Sequence, residues 1–79
     1  MLIHFYTKDH CTLCDKALEQ LKILEGEYPH QIERRDITSN VEWLRKYRVD
    51  IPVLEINGEE LRAEDLTFES LEAFLAKHA

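Results

Sequence analysis

Asn57-Gly58 stands between two extended runs, residues 51–56 (Ile-Pro-Val-Leu-Glu-Ile) and residues 59–62 (Glu-Glu-Leu-Arg). An Asn-Gly pair supplies the positive φ angles that a two-residue hairpin turn needs, so the two runs are predicted to pair antiparallel. Pro52 falls at the first position of the earlier strand, where a missing N–H is tolerated. The rest of the chain must join this hairpin in one small sheet. Its 79 residues support a single domain, residues 1–79, and a domain of this size buries only about 60% of the surface its unfolded chain exposes.

Residues 2–6, Leu-Ile-His-Phe-Tyr, have the β-branched and aromatic make-up of a strand. After a polar loop over residues 7–10, Leu13, Ala17, Leu21, Leu24 and Tyr28 recur every three or four residues, which predicts a helix over 12–27 with that face buried. Gly26 and Pro29 mark its end. Residues 31–37 read as a second strand whose charges suit a sheet edge. Ser39 and Glu42 form a capping-box pattern ahead of a short helix over 40–48, with Val41, Leu44 and Tyr47 as its buried side and Trp43 at its margin. Thr67 caps a last helix running to about residue 77, with Phe68, Leu71, Phe74 and Leu75 facing inward. The order βαβαββα implies an α/β domain: a right-handed first crossover with parallel strands, then the antiparallel hairpin, giving a mixed four-stranded sheet flanked by three helices.

No apolar run approaches the roughly 20 residues of a membrane-spanning helix. Lys8, Asp9, His10 and Asp15 interrupt residues 1–15, which lack a signal-peptide core, so a cytoplasmic location is expected. Asp and Glu outnumber Lys and Arg by 16 to 10, and the net charge of −6 repels phosphate backbones, so neither nucleic acid nor membrane is an expected partner.

Cys11 and Cys14 are the only cysteines. Two cysteines placed at random fall three apart about one time in forty, which points to chemistry. A loop this short makes a weak structural staple in a reducing compartment. A reversible redox pair or half of a metal site remains; beyond the pair, only His4, His10, His30, His78 or carboxylates are available to complete tetrahedral zinc, and no second ligand pair has finger-like spacing.

The run from Tyr6 through Thr7, Lys8, Asp9, His10, Cys11, Thr12 and Leu13 to Cys14 lies at a strand-to-helix junction. Together with Tyr47-Arg48-Val49-Asp50-Ile51-Pro52-Val53 it resembles the thioredoxin fold, and the length is similar to glutaredoxin. The resemblance covers nearly the whole chain and implies a thioredoxin-like βαβαββα domain in which Pro52 is cis and faces the cysteines. It also implies substrate-binding roles for Lys8, Ile51 and Pro52. Three positions depart from ordinary glutaredoxins: Thr12-Leu13 replaces the common Pro-Tyr, Asp50 replaces Thr, and Arg62-Ala63-Glu64-Asp65 replaces a Gly-Gly pair followed by an acidic residue. The nearer likeness is to a small glutaredoxin-like subgroup with Cys-x-Leu-Cys-Asp and no glycine pair.

By this resemblance the chain is a thiol-disulfide oxidoreductase. Cys11, at the start of the helix, is the attacking thiolate, favoured by unsatisfied N–H groups and the helix dipole. Cys14, one turn further in, resolves the mixed disulfide. His10 and Lys8 favour the thiolate, whereas Asp50 disfavours it or takes the proton of Cys14. No cofactor and no resident metal are expected. The partners are protein or small-molecule disulfides, with thioredoxin reductase or glutathione as electron donor, although side chains at 62–63 fill the space that a glycine pair leaves for glutathione. A monomer is expected. Arg34, Arg35, Arg45, Lys46 and Arg48 form a basic cluster that reads as a solvated face paired with glutamates. Two rival readings remain: a metal or iron–sulfur module using the same cysteines, and a redox-silent adaptor that binds protein through the groove beside Pro52.

Overall fold

Alternation along the first strand sends Ile3 and Phe5 to one side of the sheet and His4 and Tyr6 to the other, and this division organises the molecule. The computed structural model describes residues 1–79. Strand β1 (Leu2–Thr7) leads to helix α1 (Thr12–Leu24), then strand β2 (Gln31–Asp36). A 3₁₀ turn (Ile37–Ser39) and helix α2 (Val41–Tyr47) precede the hairpin of β3 (Val53–Ile56) and β4 (Glu59–Arg62). A second 3₁₀ turn (Ala63–Asp65) enters helix α3 (Phe68–His78). The four strands lie in the order β2-β1-β3-β4; β1 and β2 are parallel, and the other two pairings are antiparallel.

One face is dry. Phe5 pairs with Leu54, and with Ile3 and Ile56 they pack under Cys14, Ala17, Leu21 and Leu24 of α1 and Leu71, Phe74 and Leu75 of α3. Each such leucine, isoleucine or phenylalanine contributes about 1.5–3 kcal/mol when fully buried. The opposite face holds a smaller cluster of Tyr6, Ile37, Tyr47 and Val53, with Trp43 at its edge and charged residues around it. In the hairpin turn, Asn57 and Gly58 have φ of 51° and 88°, as the dipeptide requires, and the Gly58 N–H donates to the Glu55 carboxylate at 2.7 Å. Thr67 and Ser70 complete a reciprocal capping box at the start of α3.

Several details differ from expectation. Helix α1 ends at Leu24, three residues early: the Glu25 N–H turns back to the Lys22 carbonyl, tightening the last turn ahead of Gly26 and Pro29. Leu13 is 60% exposed, because Cys14 takes the inward position of that turn. Asn40, not Ser39, caps α2: its side-chain oxygen accepts from the N–H groups of Glu42 and Trp43, while Ser39 donates to the Asp36 carbonyl within the 3₁₀ turn. Of the side chains expected on the buried face of α2 only Tyr47 is buried; Trp43 packs beside it on the cluster with Tyr6, Ile37 and Val53, so the helix presents the Trp43–Tyr47 side to the sheet and leaves Val41 and Leu44 exposed. Strand β3 begins at Val53, since Pro52 has no N–H for the ladder. No helix is long and apolar enough to cross a membrane.

Candidate functional site

Strand β1 delivers the chain to the site and a short loop turns it. Lys8 and Asp9 are exposed, and His10 takes a left-handed conformation with φ of 60°. Cys11 follows as the N-cap of α1, with extended backbone; its sulfur accepts the Cys14 N–H at 3.1 Å, and its carbonyl accepts the Asp15 N–H. The sulfur thus occupies the place of a capping oxygen, where the free N–H groups and dipole of a helix favour negative charge. Asp15, in the same turn, opposes that effect. The side chains of Lys8 and His10 extend into solvent without an ion pair.

Cys11 and Cys14 are joined as a disulfide, with their Cα atoms 5.2 Å apart. The two sulfurs have unlike surroundings. Cys11 is half-buried at the helix tip; Cys14 is 1% exposed and belongs to the dry core with Ala17 and Leu21. In apolar surroundings a thiol is held neutral and out of reach, so the pair divides into one sulfur open to solvent and one sheltered from it.

Pro52 is buried, and the Ile51–Pro52 peptide is cis. A cavity of about 310 Å³ opens beside it. Leu13, Lys16 and Gln20 of α1 form one wall, and Ala63, Leu66 and Phe68 the other. Leu13, which lies between the two cysteines in the chain, is among the cavity's lining residues; neither cysteine is. Lys16, Gln20 and Ala63 escape a reading of hydrophobic periodicity. Counting Cys14 as the apolar member of its turn would have placed Leu13 outside, where it serves the cavity.

Asp50 does not stand free. Its carboxylate pairs with the Arg62 guanidinium at 2.6 Å, and its carbonyl accepts the Ala63 N–H at 3.2 Å. Arg62 also holds Glu60 at 2.9 Å and lies over the Tyr47 ring, whose hydroxyl donates to the same Glu60 at 2.5 Å. Burial opposes ionisation of Glu60, yet hydrogen bonds from Tyr47 and Arg62 outweigh it and hold the carboxyl below its usual range. Burial and the Glu60 carboxylate push the Tyr47 hydroxyl well above the usual phenol range. This network ties the segment that carries Pro52 to the end of β4, and Arg62 is its hub.

The basic cluster divides. Arg35 is engaged: it donates to Glu33 and to the Tyr6 hydroxyl, both at 2.8 Å, and lies near the faces of Tyr6 and Trp43. Lys46 reaches Glu60 at 3.6 Å. Arg34, Arg45 and Arg48 have no acidic partner within salt-bridge distance. Nowhere do three His, Cys, Asp or Glu side chains gather in a group fit to hold a metal ion, so a metal site at the cysteines would need ligands from another molecule.

Comparison with known proteins places this geometry in context. A structural-genomics target protein from X. campestris is 26% identical and superposes with a TM-score of 0.78 over 95% of this chain and 96% of its own. Thioredoxin 1 of Thermosipho africanus, 19% identical, superposes with a TM-score of 0.69 over 99% of this chain and 93% of its own. Mitochondrial thioredoxin 3 of Saccharomyces cerevisiae, in its oxidised form, is 18% identical, with a TM-score of 0.66 over 96% of this chain and 76% of its own. At these identities the two thioredoxins show the fold, which is thioredoxin-like. The family model described as glutaredoxin-like domain (DUF836) matches residues 2–76, and the chain, a thioredoxin-fold domain with a close cysteine pair, belongs to that glutaredoxin-like family.

Proposed function

We propose that the chain is a dithiol–disulfide oxidoreductase working in the cytoplasm. The observation that carries this reading is the asymmetry of the pair: Cys11 caps a helix at the surface, and Cys14 is buried within bonding distance of it. In the reduced protein the Cys11 thiolate attacks one sulfur of a substrate disulfide. A Cys11–substrate bond forms, the substrate S–S bond breaks, and the leaving thiolate takes up a proton. Cys14 then loses its proton and attacks Cys11 Sγ, releasing the second substrate thiol. Two electrons have passed to the substrate and the protein is left as the Cys11–Cys14 disulfide. A thiol donor, either a thioredoxin-reductase system or glutathione, returns the two electrons. No bound cofactor takes part.

The cavity beside Pro52, lined in part by Leu13 from between the cysteines, supports the reading by offering a substrate chain a place to lie. Arg62 and Ala63 line up where a glycine pair would leave room for glutathione, which favours the reductase as donor. The test is to trap the intermediate. Cys14→Ser, mixed with a peptide disulfide, is expected to accumulate a peptide adduct on Cys11 by mass spectrometry, and Cys11→Ser none. A wild-type pair that fails to cycle between dithiol and disulfide would overturn the proposal.

A further inference from the structure

Three of the large apolar side chains left in solvent fall within one nine-residue segment: Val41 is 63% exposed, Leu44 39% and Val49 85%. With the Trp43–Tyr47 side turned to the sheet, the helical spacing sets Val41, Leu44, Arg45 and Arg48 along one outward stripe of α2. Arg45 and Arg48 are exposed and have no acidic partner, although the chain carries 16 acidic residues. Residues 41–49 carry Arg45, Lys46 and Arg48 against the single acid Glu42, in a protein whose net charge is −6, and of the three only Lys46 has an ion-pair partner, Glu60. Val49, beyond the end of the helix and three residues before Pro52, is exposed as well.

We infer that the outward stripe of α2 docks an acidic polypeptide with apolar side chains, the substrate whose disulfide is exchanged at Cys11. The inference rests on the exchange activity proposed above and names its substrate class. Charge complementarity selects the occupant: uncompensated guanidinium groups beside bare Val and Leu attract a chain that alternates carboxylates with apolar residues and repel a basic one. Length selects a polypeptide over a small thiol. The seven residues of α2 alone span about 10 Å, more than a single disulfide-bearing residue covers. Contacts of this kind at a solvated rim act on encounter and affinity, and salt screens them.

The test uses two synthetic peptides with the same internal disulfide, one flanked by Glu-Leu repeats and one by Lys-Leu repeats. Bis(2-hydroxyethyl) disulfide serves as a small neutral substrate and dithiothreitol as electron donor. In low salt, near about 0.02 M, the Glu-Leu peptide is expected to have a KM about tenfold below that of the Lys-Leu peptide, a gap that closes near about 0.5 M. Arg45→Gln with Arg48→Gln is expected to raise the KM of the Glu-Leu peptide about fivefold or more, leaving its kcat and the turnover of the neutral disulfide unchanged. Equal KM values for the two peptides, or no effect of the double substitution, would overturn the inference. Should the wild-type protein reduce none of the three, the exchange reading falls, and the surface is judged by binding alone. A Glu-Leu peptide with serines in place of its cysteines, titrated by calorimetry, then upholds the inference if Arg45→Gln with Arg48→Gln abolishes its binding and overturns it if the wild-type protein does not bind.

Discussion

The two faces of the sheet are held by different physics. On the face under α1 and α3, eleven buried side chains form a continuous apolar cluster that includes Cys14. On the face under α2 only four are buried, and hydrogen-bonded polar and charged side chains surround them: His4 with Glu33 and Glu55, Arg35 on Tyr6, and Arg62 joining Asp50, Glu60 and Tyr47. Apolar burial is strong and undirected; an ion-pair network is weaker but fixes particular atoms. The dry face stabilises the domain and buries one sulfur. The wet face ties the Pro52 segment to the end of β4.

Substitutions that separate the two faces sharpen the contrast. Phe5→Ala, at the centre of the dry face, is expected to cost about 3–5 kcal/mol in urea denaturation. Tyr47→Phe removes a hydrogen bond to an ionised glutamate and is expected to cost about 1.5–3 kcal/mol; a loss as large as that of Phe5→Ala would show that the wet face also rests on packing. A smaller effect is expected from pH. The hydrogen bond from His4, with help from the Gly58 N–H, holds the Glu55 carboxyl below its ordinary value of 4.5. A carboxyl depressed in the folded state contributes stability above its unfolded value and loses it as pH falls through the folded one. Urea midpoints of the wild type should therefore drop below about pH 4.5, and Glu55→Gln should flatten part of that drop. Glu59 and Glu60, depressed by Lys77 and by Tyr47 with Arg62, and Asp36, depressed by the hydroxyl and N–H of Thr38, contribute to what remains. Smallest of all, Leu13→Ser should shift stability by no more than about 0.5 kcal/mol, because Leu13 faces solvent. A cost near that of a core leucine would contradict its placement.

Signals acting within a few residues, and the mixed sheet that the element order implies, proved readable; contacts between distant side chains did not. Asn57-Gly58 and Thr67 act within a few residues of themselves, and both the hairpin and the capped helix α3 stand where they are expected. The charged second strand is an edge, as its composition implies. Ser39 misleads because two polar residues in a row can each cap a helix, and only the competing 3₁₀ turn, held by Asp36, decides for Asn40. Leu13 misleads because periodicity treats cysteine as chemistry and leucine as core, whereas Cys14 fills the core position and Leu13 lines the cavity. Of the site, the cysteine pair and the cis Pro52 follow from motif resemblance. The grip of Arg62 on Asp50 joins residues twelve apart through a hairpin, and no pattern in the chain announces it.

The central claim is that the two thiols are unequal. Reduced protein, pulsed near neutral pH with a limiting amount of iodoacetamide and mapped by mass spectrometry, should carry the label on Cys11 at least about tenfold more than on Cys14. Equal labelling, or faster labelling of Cys14, would contradict the account.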